Sequence, residues 1–105
     1  MEQPNLDYIK QLSGSDIAFE NKFITILKEE FPQEKNEYTK LLIANNTEDT
    51  ALIVHKLKHK LNILGLHNAY RLAVTYEEEL RQGDTKLKDE FANVLESIEL
   101  YLNTI

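Results

Sequence analysis

Apolar side chains recur at intervals of three and four residues along almost the whole chain, and nowhere does polar–apolar alternation persist as a strand would need. That period leaves few choices: each segment must be an amphipathic helix that buries one stripe against its neighbours. The three glycines and two prolines punctuate the pattern. Pro4 suits a first helical turn, opening a short segment with Leu6, Ile9 and Leu12 on one side. Gly14 breaks it, and Ser15 or Asp16 offers an N-cap for a run through Ile17, Phe23, Ile24, Leu27 and Phe31. Pro32 lacks an N–H and crowds the preceding turn, so a kink or split is expected there, with the run resuming through Tyr38, Leu41, Leu42 and Ala44. Asn45 and Asn46 mark a boundary, with Thr47 as the expected cap of a third segment reaching Leu64 and stopped by Gly65. Asn68 is the expected cap of a fourth, carrying Ala69, Leu72, Ala73, Tyr76 and Leu80 before Gly83. Asp84 or Thr85 starts the last, with Leu87, Phe91, Val94, Leu95, Ile98, Leu102 and Ile105. The fold expected is all-α: an antiparallel four-helix bundle with a short additional N-terminal helix.

A length of 105 residues fits a single domain, 1–105. No apolar run is long enough to span a membrane, and the first ten residues do not read as a signal peptide. Cysteine is absent, which removes disulfides and thiolate chemistry. A cytoplasmic protein is the expectation, as is a free-standing one, from Met1 and the complete set of helices. The net charge of −6 argues against nucleic-acid binding. It is unevenly spread: Ala51 to Tyr76 holds no Asp or Glu but has Lys56, Lys58, Lys60, Arg71 and all three histidines, His55, His59 and His67. Such a stretch on an acidic chain is either a solvated helix face or a surface for an anionic group.

Helical geometry places these side chains. At ~100° per residue, Ile53, Leu57 and Leu64 lie roughly 160–200° from His55, with Val54 and Leu61 about 100–120° to one side. These five define a buried face, and His55 points away from it. Lys58, His59 and Asn62 share its side, while Leu52 and Ile63 border it at about 60–80°. A neutral imidazole is a nucleophile, and an ammonium one turn along the same face suits an added phosphoryl group.

His55-Lys56-Leu57-Lys58, followed by Gly65, resembles the H-x-L-K-x-x-x-x-x-x-G signature of histidine phosphotransfer domains, and the likeness runs from Leu6 to at least Asp84. The resemblance implies a phosphorelay role in two-component signal transduction: His55 accepts a phosphoryl group through Nε2 from an aspartate of a receiver domain or hybrid sensor kinase and passes it to a response regulator. It implies that Lys58 stabilises the product. It also implies that Glu77 orients the imidazole, although a glutamate in the run Glu77-Glu78-Glu79 reads by default as a solvated charge. Leu52, His59, Asn62 and Ile63 would then meet the partner. No cofactor is intrinsic; the receiver brings the aspartate and Mg²⁺. The isolated glycines form no nucleotide-binding loop, so a phosphocarrier without its own ATP site is expected rather than an enzyme, and a monomer is the simplest state. His59 departs from the family pattern, which has a small residue there, and bears on partner choice.

Two other readings stand beside this one. His55 and His59, at i and i+4, have the spacing of two metal ligands, without a zincin glutamate and beside two lysines. The chain could also be a helical adaptor that binds receivers without phosphotransfer.

Overall fold

The computed structural model describes residues 2–105. Five helices follow one another: α1 (Asp7–Ser13), α2 (Ile17–Ile43), α3 (Thr47–Ile63), α4 (His67–Arg81) and α5 (Lys88–Leu102). Among the described residues there is no strand, and no helix is long and apolar enough to cross a membrane. α3 packs against both α2 and α4, α5 contacts α4 and α2, and α1 lies against α2. The core is assembled from one stripe of each helix. Ile9 comes from α1, Leu27, Phe31 and Tyr38 from α2, and Ile53, Val54, Leu57 and Leu61 from α3. Ala73, Tyr76 and Leu80 of α4 and Phe91, Leu95, Ile98 and Leu102 of α5 complete it. All five residues assigned to the inner face of α3 are buried. Leu12 of α1 and Ile17 of α2, expected on the apolar stripes of their helices, are instead 52% and 69% exposed.

The expected split at Pro32 does not occur; α2 is helical without interruption for 27 residues. A proline inside a helix costs about 3 kcal/mol through one missing hydrogen bond and a crowded turn. Here Pro32 and Lys28, whose carbonyl loses its donor, are both exposed, so water can take the vacant acceptor. Phe31 and Tyr38 on either side are buried, at 1% and 3% exposure, and their burial outweighs that loss.

Several helix ends depart from the local expectation. Asp16 caps α2 by accepting from the Phe19 N–H, as its side chain allows. α3 is capped by Asn46 rather than Thr47, through the Asp49 N–H. Pro4 lies before α1 rather than in its first turn, and α5 begins at Lys88, beyond both Asp84 and Thr85. Asn68 does not cap α4. The backbone N–H groups of Asn68 and Ala69 donate instead to the Glu2 carboxylate, at 2.8 and 3.1 Å, while the Asn68 side chain accepts from Arg71. The same N-terminal segment closes the other side of the α3–α4 turn, where the Asn5 N–H donates to the Leu64 carbonyl at 2.9 Å. Gly65 lies in this turn with φ +76°, and a Cβ on it would fall 2.6 Å from the Asn5 side chain. Both the left-handed backbone and the close approach demand glycine.

Lys60 is buried at 8% exposure although it belongs to the basic stretch. Its ammonium donates to Glu30 and Glu34 of α2 at 3.1 Å each. An ammonium taken out of water needs such partners. The pairing fixes α3 against α2 and withdraws one charge from the surface that the sequence alone would assign to it.

Candidate functional site

His55 stands on the outward side of α3 with half of its side chain exposed. The ring leans toward α4, where its Nδ1 lies 3.2 Å from Glu77 Oε1. Lys58 Nζ donates to the same oxygen at 3.1 Å, and Arg81 Nη2 donates to the other, Oε2, at 2.5 Å. Glu77 is therefore not a solvated charge. Its side chain is only 6% exposed, and it joins two cations and an imidazole. The neighbouring Tyr76 is wholly buried, so the register of α4 turns Glu77 inward while Glu78 remains exposed.

Burial pushes the Glu77 carboxyl up. Hydrogen bonds from Lys58 and His55, with the charges of Lys58 and Arg81, more than offset this and hold it below the usual carboxylate range. An ionised carboxylate only accepts, so the imidazole must donate its Nδ1 proton. In the neutral ring the tautomer follows: Nε2 carries the lone pair and is the nitrogen left to react. A depressed carboxyl also has a consequence for stability. Its contribution is complete above the unfolded carboxyl range of about 4.3 and is lost as pH falls through the lower folded value. The stability difference between the native chain and Glu77→Gln is thus expected to be largest near neutrality and to shrink below about pH 4. Chemical denaturation across that range measures it, and a pH-independent difference would contradict the assignment.

Lys58 is less free than helical geometry alone implies. Its side chain is 13% exposed, with Nζ held by Glu77 and 5.8 Å from the centroid of the Tyr70 ring. His59 is exposed, and its ring stands edge-on to His55 with centroids 5.1 Å apart. Leu52, 60% exposed, borders a groove between α2 and α3 together with His55, Lys56, Ile53, Leu41, Glu37 and Asp49. Ile63 is half-buried against the core. Asn62 is exposed but opens on a different cleft, toward α1, shared with Asn5, Tyr8 and His67. The structure thus joins His55, Lys58, His59 and Glu77, sets Leu52 beside them, and places Asn62 further along α3.

Arg81 is the member that sequence reasoning missed. A signal existed, since Glu77 and Arg81 are i and i+4 in the favourable order for a helix ion pair. With Lys60 withdrawn and Glu77 offsetting one of Lys58 and Arg81, the cluster keeps a modest positive excess. Among the described residues, no group of three or more side chains is arranged to hold a metal ion around the two histidines. No family model matches this chain, and the comparisons with curated proteins and solved structures found no match either.

Proposed function

We propose that this chain is a histidine phosphotransfer domain, an antiparallel four-helix bundle of α2 to α5 with α1 added, that carries a phosphoryl group between receiver-domain aspartates. One observation supports the reading above the rest: a half-exposed imidazole whose Nδ1 meets a buried carboxylate, which leaves Nε2 as the nitrogen for the transfer. In the transfer, the Nε2 lone pair attacks phosphorus of an aspartyl phosphate. The N–P bond forms as the P–O bond breaks, and its electron pair leaves with the aspartate carboxylate. The ring retains its Nδ1 proton and becomes cationic, and Glu77 offsets that charge. Onward transfer reverses these steps on a second aspartate. The receivers, of response regulators or hybrid sensor kinases, bring the aspartate and its Mg²⁺. The groove beside Leu52 and Leu41 offers them apolar surface next to the reacting nitrogen.

The test is radiolabel transfer from phosphorylated receivers of the source organism. A label on this chain that is stable in base and labile in acid supports the carrier role. Receivers that bind tightly without passing label would make the chain an adaptor instead.

A further inference from the structure

The phosphotransfer reading asks Lys58 to neutralise a phosphoryl group on His55, yet the ammonium already serves a nearly buried carboxylate. If Lys58 were the only cation on Glu77, moving it to the phosphate would strand that negative charge out of water, which is strongly unfavourable. The geometry avoids this by dividing the carboxylate. Oε1 is shared by His55 and Lys58, while Oε2 belongs to Arg81. Arg81 sits in the last turn of α4, where a cation is favoured by the helix dipole, and reaches Glu77 across i to i+4. Its own side chain is 53% exposed, so it fills no core position whose loss would disturb packing.

We propose that Arg81 is a positioning residue that keeps Glu77 compensated once Lys58 leaves it, which releases Lys58 to move from Glu77 Oε1 to a phosphoryl group on His55 Nε2. The idea rests on the phosphotransfer reading and assigns a role within it to a residue that otherwise looks like half of a surface ion pair. In the unphosphorylated state Lys58 and Arg81 share the carboxylate. After transfer, Glu77 still accepts the Nδ1 proton of the cationic ring and still has Arg81. Lys58 then pairs with phosphate oxygens, stabilising the phosphorylated ground state relative to the loose, metaphosphate-like transition state of its hydrolysis.

The experiment needs no partner protein. The chain, Arg81→Met, Arg81→Lys, Lys58→Met and the double variant Arg81→Met/Lys58→Met are phosphorylated with phosphoramidate, and loss of the acid-labile phosphate is timed after the reagent is removed. Thermal unfolding of each verifies the fold. Arg81→Met is expected to shorten the lifetime about threefold to tenfold, the size of losing one partly screened ionic hydrogen bond. Arg81→Lys restores most of it, and the double variant decays no faster than Lys58→Met alone, because both substitutions remove the same contact. Nitrogen-15 spectra of unphosphorylated Arg81→Met should still show the proton on His55 Nδ1, since Lys58 alone keeps Glu77 charged. A native lifetime in Arg81→Met, with a shortened one in Lys58→Met, overturns the proposal and leaves the phosphotransfer reading standing. Native lifetimes in both also overturn it. A wild-type chain that accepts phosphate neither from phosphoramidate nor from receivers removes the underlying reading and this proposal together.

Discussion

His55→Gln is expected to abolish acid-labile phosphate on the chain while leaving its thermal stability almost unchanged. The two parts of that result have separate causes. Glutamine has no nitrogen lone pair able to attack phosphorus, so labelling should fall to background. Its amide N–H can still donate toward Glu77 Oε1, so the buried carboxylate keeps a donor where the imidazole stood. The side chain is half exposed, and little packing is exchanged. The comparison with His59→Gln is decisive because the two rings are neighbours. His59→Gln should retain the label. Label that persisted in His55→Gln and vanished in His59→Gln would move the acceptor one turn along α3 and dismantle the role given to Glu77.

The second large effect lies in the core beneath the site. Tyr76 is wholly buried, its hydroxyl 2.6 Å from that of Tyr38, and both rings pack on Phe91 with centroids 5.1 and 5.4 Å away. Burial pushes both phenols up from their ordinary value, so neither ionises under ordinary conditions. Tyr76→Ala removes an aromatic ring from the junction of α2, α4 and α5 and leaves the Tyr38 hydroxyl without its partner. A loss of about 3–5 kcal/mol is expected, a large part of the 5–15 kcal/mol typical of a domain. Tyr76→Phe keeps the ring and removes only the hydroxyl pair, at about 1–3 kcal/mol. Urea denaturation of the three chains measures both steps. A cost below ~1 kcal/mol for the alanine variant would mean that the core collapses around the gap, contrary to its close packing. Because Tyr76 adjoins Glu77, the phenylalanine variant should also keep the label; its seat, not its hydroxyl, sets where Glu77 emerges.

What could be read beforehand follows from which physics is local. The outward position of His55 depends only on the pitch of one helix and the stripe Ile53, Leu57, Leu64, both present in a single segment. Glu77 falls at the flank of the α4 stripe Ala73, Tyr76 and Leu80, but that its carboxylate meets His55 and Lys58 depends on how α4 rolls against α3, which no residue count within α4 specifies. Lys60 was hidden for the same reason: its acidic partners belong to another helix. At Pro32 the helix continues without the split that a local rule allows, because burial on both sides of it offsets the lost hydrogen bond. At the start of α4 the capping rule gave the right need and the wrong acceptor, because the carboxylate that meets it comes from Glu2, far away in the numbering.

That last contact changes how measurements on α4 should be interpreted. The amide protons of Asn68 and Ala69 are shielded by an oxygen pair attached 66 and 67 positions earlier. Slow exchange at those two sites therefore gauges how firmly the beginning of the polypeptide is fastened to its middle, whatever the intrinsic helix strength of the segment in which they reside.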